Sequence, residues 1–120
     1  MEKKYVDGFL LCVPTAKLQE YQALAEQART VWLEHGALDF RECVGVDLDP
    51  QHGCASFAAA AGAQPGESVV FSWITYASRA ERDRINAKVM NDSRISGTQC
   101  EGVFDAKRMC WGGFSTLVGD

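Results

Sequence analysis

The sequence predicts an α+β fold: a four-stranded antiparallel sheet with two helices on one of its faces. Three observations carry that prediction. Residues 67–76 (ESVVFSWITY) are rich in β-branched and aromatic side chains and read as a strand. Its two faces are both apolar: Val69, Phe71 and Trp73 point one way, and Val70, Ile74 and Tyr76 the other. A surface strand alternates apolar with polar residues, so this one is expected to be covered on both sides. Directly after it, Ser78 stands three residues before Glu81, a capping-box spacing that opens a charged helix over 79–91. Earlier in the chain, residues 15–35 repeat Leu18, Tyr21, Ala25, Ala28, Trp32 and His35 at three- and four-residue steps, the period of a helix buried along one side.

The remaining elements follow in order. Residues 3–13 read as the first strand, with Tyr5, Phe9, Leu11 and Val13 on one face around Asp7, and Val6, Leu10 and Cys12 on the other around Gly8. Pro14 has no N–H for the ladder and ends it. Thr15 is the expected N-cap of the first helix, and Gly36 the expected left-handed residue after its end. Residues 37–48 read as the second strand, Leu38, Phe40, Val44 and Val46 sharing a face with Glu42, and Asp39, Arg41 and Cys43 taking the opposite one. Residues 49–66 read as a loop in which 58–61 can form one helical turn that Gly62 stops. Residues 92–107 are weakly patterned, and 108–118 form the last strand, where Gly112-Gly113 points to a bulge or a close backbone approach.

The resulting order, β-α-β-β-α-β, is the ferredoxin-like pattern. In a monomer of that pattern the sheet face away from the helices is wet. Here every strand carries apolar residues on both faces, a patch too large for an ordinary soluble monomer. A homodimer packed through the sheet face is the simplest remedy.

At 120 residues the chain reads as one domain, 1–120. A net charge of −4 without a run of Lys and Arg argues against nucleic acid and anionic membrane surfaces as partners. No apolar run approaches the roughly 20 residues of a spanning helix. Asp7 and Gly8 interrupt any signal-peptide core, so the cytoplasm is the expected location. Five cysteines with no CxxC pair read as thiols, several of them small apolar fillers in strands.

The segments YVDGF, WLEHGALDFRECVG, SVVFSWITYASRAERDRINAKVM and FDAKRMCWGGF resemble, over nearly the whole chain, the DUF1428 family of small bacterial proteins. The resemblance implies a dimeric α/β barrel, two ferredoxin-like protomers sharing one barrel, and implies no activity. The wider superfamily holds cofactor-free quinone-forming monooxygenases, haem-degrading enzymes and dye-decolourising peroxidases, an analogy of fold alone. Departures from the family pattern fall around 51–63 and 96–103, the second lacking an expected Met- and Pro-rich loop.

Four groups of residues are candidates for chemistry. His35, Asp39, Arg41 and Glu42 bracket the turn from the first helix into the second strand. They could form a polar cluster at a pocket mouth, His35 as a general base and Arg41 fixing a carboxylate or phenolate. The bland alternative makes His35 a helix-end residue and Arg41 and Glu42 a structural ion pair. Arg79, Arg82, Asp83, Arg84 and Asn86 make the last helix more polar than packing requires. Asp83 or Asn86 could meet a ligand, or the charges could pair locally on a solvated face. Trp32, Trp73, Tyr76, Trp111 and Phe114 could line an aromatic pocket, or fill the core and dimer seam. His52 and Cys54 lack a second ligand pair, so no metal site is expected.

The reading is therefore a homodimer that binds a small organic ligand between sheet and helices, with Trp32, Asp39, Trp73, Tyr76, Asp83 and Asn86 as contacts. No cofactor is expected. The alternative is a cofactor-independent, monooxygenase-like enzyme acting on an aromatic molecule, with catalytic candidates His35, Arg41 and Glu42.

Overall fold

The computed structural model of the protein describes residues 3–95 and 100–120. Strand β1 (Tyr5–Pro14) leads through a single 3₁₀ turn into α1 (Leu18–Glu34), followed by β2 (Asp39–Val44), a short α2 (Phe57–Ala61), β3 (Glu67–Tyr76), α3 (Arg79–Met90) and β4 (Cys110–Ser115). The strands form one antiparallel sheet in the order β2-β3-β1-β4, the ferredoxin-like arrangement.

The register assigns every strand residue to a face. Tyr5 pairs with Tyr76, Phe9 with Ser72 and Leu11 with Val70, while Phe40 stands opposite Ile74 and Glu42 opposite Ser72. These residues share the inner face, against α1 and α3. There Val31 of α1 and Ile85 and Val89 of α3 close over Phe40, Ile74 and Tyr76, and Leu11, Val13 and Val70 form a second buried cluster. The alternation read from the sequence thus places both faces of β1, β2 and β3 as expected. Ser78 caps α3, its Oγ accepting from the Glu81 N–H at 3.1 Å, while the Glu81 carboxylate pairs with Arg84.

Several expectations are corrected. Thr15 does not cap α1: its hydroxyl is engaged 2.8 Å from Ser68 Oγ, and Pro14 feeds a 3₁₀ turn after which Lys17 begins the helix without a side-chain cap. The second strand stops at Val44 rather than reaching residue 48. Gly45 N–H still bonds Val69 O at 2.8 Å, but Leu48 then folds back over Gly45, where any Cβ would collide with it. The Gly112-Gly113 pair makes no bulge, since β4 pairs one for one from Tyr5–Ser115 to Leu10–Cys110. Its purpose is close approach: the Tyr5 phenol occupies the space a Cβ on Gly113 would need.

The helical turn foreseen within 58–61 is α2, capped by Ser56 and ended by Gly62 at φ 70°. It lies on the outer sheet face, where Ala61 packs with Cys12 and Val69 beneath Leu48, Ala58 and Ala63. One end of that face is therefore covered. At the other end Phe71 and Phe114 remain 45% and 62% exposed. The filler role expected of strand cysteines holds for Cys12 alone, because Cys43 and Cys110 are exposed on the edge strands. Of the weakly patterned stretch 92–107, residues 96–99 lie outside the described residues, as does that part of the departing segment 96–103.

Arg108 ties three of these pieces together. It donates to Glu67 at 2.7 and 2.8 Å and to Gly62 O at 2.7 Å, joining the start of β3 to the end of α2. The guanidinium holds the Glu67 carboxyl down from 4.5 to about 2. A carboxylate depressed in the folded state stabilises the fold above its ordinary pKa, and that contribution disappears as pH falls through the folded value. Urea melts of wild type and Arg108→Gln should therefore differ most near neutrality and converge between pH 4.5 and about 2. A gap that stays constant down to pH 2 would show that the ion pair does not set this acid response.

Candidate functional site

Between the inner sheet face and helices α1 and α3 lies a cavity of about 520 Å³. Its walls include Phe9, Trp32, Phe40, Tyr76, Phe104 and Trp111, and α1 contributes Ala25 and Ala28, whose small side chains leave the space open. Two polar stations interrupt this apolar lining.

The first is built on Asp7, a carboxylate placed by strand alternation among inner-face apolar residues and only 1% exposed. Arg82 reaches it from α3, with Nη1 donating to Asp7 Oδ1 at 3.2 Å and Nη2 to the Tyr5 hydroxyl at 3.1 Å. The guanidinium also lies over the Tyr5 ring, 4.8 Å from its centroid, and 5.8 Å from that of Trp111. Its Nε is 3.0 Å from Asp83 Oδ1 without the alignment of a hydrogen bond, so that N–H has no acceptor among the described residues. One helical turn on, Asn86 Oδ1 accepts from Trp32 Nε1 at 3.2 Å and from the Tyr76 hydroxyl at 3.1 Å. Tyr76 and Asn86 also lie within bonding reach of the Asp7 carboxylate, and the single Tyr76 proton can serve one acceptor at a time. Burial raises the Asp7 pKa, outweighing the opposing pull of Arg82. Burial likewise raises that of Tyr76, reinforced by the nearby Asp7 charge.

The second station is Glu42 on β2. It lines this cavity and also a neighbouring groove of about 350 Å³ between α1 and β2. The Tyr21 hydroxyl donates to Glu42 Oε1 at 2.7 Å, and buried Ser72, its cross-strand partner, lies beside the carboxyl. Glu42 is open to solvent along part of its length, yet desolvation of the carboxyl raises its pKa above 4.5. Tyr21 is raised too, by burial first and then by the Glu42 charge.

The sequence-derived candidates separate into different places. Trp32, Tyr76 and Asn86 meet around one oxygen atom at the cavity wall. Asp83 is mostly exposed and reaches the site only through Arg82. His35 ends α1 and pairs with Asp92 at 2.9 Å, in a separate notch formed with Ala87, Lys88 and Asn91. Asp39 and Arg41 share the outer face and pair with each other at 3.1 Å, so Arg41 and Glu42 make no ion pair. The aromatic set divides likewise. Trp32, Tyr76 and Trp111 face the cavity; Trp73 also contributes to its lining but lies in the outer register of β3, 5.6 Å from Phe71 and beside Phe114. Asp7 and Tyr21 are not among the candidates, and Arg82 is there only as one of the polar residues of the last helix. For Asp7 the signal was present, a carboxylate in the apolar register of a strand.

Comparison with known proteins decides the family. Residues 4–106 match the family described as a protein of unknown function, DUF1428. The chain belongs to the DUF1428 family. Asp7, Tyr21, Glu42, Tyr76, Arg82 and Asn86 all fall within the matched residues, whereas β4 lies beyond them. Among relatives, the uncharacterized protein YbaA of Escherichia coli K12 is 41% identical over 115 residues, covering 96% of this chain and 97% of that protein. YbaA of Shigella flexneri shows the same identity and coverage. Among solved structures, a dimeric ferredoxin-like protein from an uncultured marine organism aligns with a TM-score of 0.60, covering 99% of this chain and 100% of its own. At 12% identity that likeness concerns the fold. No helix among the described residues is long and apolar enough to cross a membrane.

Proposed function

We propose that this DUF1428 protein is a single-domain, cytoplasmic homodimer that binds a small organic ligand between sheet and helices. The observation that carries the reading is the cavity of about 520 Å³, a size suited to a small molecule, with aromatic walls and few polar groups. Trp32, Tyr76 and Asn86 are the contacts on its wall. Asp7 and Arg82 hold Tyr5, Tyr76 and Asn86 in place behind it. The homodimer reading is supported by the exposed apolar half of the outer sheet face, with Phe71, Trp73 and Phe114 beside Leu10. The dimeric state named for the marine ferredoxin-like protein agrees with it. The oxygenase alternative finds aromatic walls here but no histidine base, since His35 is turned to Asp92 in another notch.

Native mass spectrometry of freshly purified protein tests both halves. The expected result is a dimer carrying reproducible small-molecule mass, and a rise in melting temperature with members of a metabolite panel. A persistent monomer at micromolar concentration would remove the assembly reading. A bare dimer that no panel member stabilises would remove the binding reading.

A further inference from the structure

The charges at the cavity are not balanced. Asp7 is matched by Arg82, and Arg82 is further engaged by Asp83. Arg41 contributes to the cavity lining, but its guanidinium is paired with Asp39 on the outer side of the sheet. Glu42 has only a phenol and a hydroxyl for partners, and among the described residues no cationic side chain pairs with it. Tyr21, which bonds this carboxyl, packs edge-on against Phe104, and Phe40, two residues along the same strand face, packs against Trp32; all four rings line the cavity, and aromatic faces attract positive charge. Glu42 is exposed as a residue, yet its carboxylate stands on the inner register of β2 at the cavity and has no ion-pair partner among the described residues.

We propose that the cavity selects organic cations: an amine carried on an aromatic or branched apolar body, its ammonium group against the Glu42 carboxylate. This inference rests on the ligand-binding reading above and specifies its chemical class. The ammonium supplies the charge that Glu42 lacks, and the aromatic walls take both the apolar body and part of the charge. A ligand carboxylate in the larger cavity would meet Glu42 as a like charge and find no open guanidinium or ammonium among that cavity's described lining residues, Arg29 lying in the adjoining groove.

Three probes of nearly one shape test it: 2-phenylethylamine, 2-phenylethanol and phenylacetate. Binding is followed by quenching of tryptophan fluorescence, since Trp32 and Trp111 line the cavity, and by thermal shift. Wild type is expected to bind the amine at least about ten-fold more tightly than the alcohol, and phenylacetate more weakly than either. Glu42→Gln keeps an oxygen to accept from Tyr21, so the fold survives. It should bring the amine down to the affinity of the alcohol while leaving the alcohol unchanged. Tyr21→Phe, which removes the phenol and keeps the carboxylate, should retain the preference for the amine. Equal binding of amine and alcohol by wild type, or an undiminished amine preference in Glu42→Gln, overturns the proposal while the cavity remains a binding site. Failure of all three probes to bind overturns the proposal, while the binding reading itself stands or falls by the native mass and the wider metabolite panel.

Discussion

Asp7→Ala is expected to destabilise the protein by about 3 kcal/mol, because it removes the buried counter-charge of the Arg82 guanidinium and leaves it only the exposed Asp83 carboxylate. The Asp7 and Arg82 side chains are 2% and 11% exposed, so little water can replace the lost partner. The Tyr5 hydroxyl and the Asp83 carboxylate remain with Arg82, but a phenol offers no full charge and Asp83 is 65% exposed and screened by solvent. The sign for the pair as a whole differs. Burial raises the Asp7 pKa despite the adjacent guanidinium, so the ion pair does not recover the full cost of taking the carboxylate out of water. Asp7→Ala combined with Arg82→Met should therefore be more stable than Asp7→Ala alone, recovering half or more of the loss. Urea unfolding of the two single variants and the double variant measures this as a thermodynamic cycle. A single Asp7→Ala within about 1 kcal/mol of wild type, or a double variant showing the simple sum of the single losses, would contradict the buried-pair account. The linkage runs opposite to that of Glu67. A carboxyl raised in the folded state costs stability as pH rises from its ordinary value through the raised one, so this burden is present at neutrality.

Strand faces were legible because a period of two leaves one assignment per residue once a single face is known. Asp7 and Glu42 are both carboxylates in apolar strand registers and both are polar stations of the cavity, although only Glu42 is among the candidates read from the sequence. The end of β2 was not legible, because Leu48 leaves the sheet to join the cluster beneath α2, a contact between distant segments. Nor does a five-residue helix of Phe and Ala carry enough periodicity to say which sheet face it covers. Arg79, Arg82 and Arg84 look alike in sequence. Only packing decides that Arg82 turns inward with Asn86 four residues later, while Arg84 stays outside with Glu81. His35 was attractive as an acid–base group by residue type, but the helix end carries it to Asp92.

Replacing Phe71 and Phe114 together by arginine is expected to convert the proposed dimer to monomer at micromolar concentration while leaving each protomer folded. Both side chains lie on the outer sheet face, beyond the reach of α2 or at its margin, and neither belongs to the inner clusters. A stable interface buries about 800 Å² of accessible surface on each partner, so apolar side chains flanking the sheet are expected to join it. Val46, Leu117 and Val118 are 91%, 89% and 90% exposed. Removing residues 117–120 should then weaken the dimer without lowering the stability of the isolated protomer. Analytical ultracentrifugation across a concentration series separates the two effects, with circular dichroism verifying the fold. A doubly charged Phe71→Arg, Phe114→Arg variant that still sediments as a dimer would move the interface to another surface. An unchanged dissociation constant after truncation would show that the extra area comes from elsewhere than the chain end.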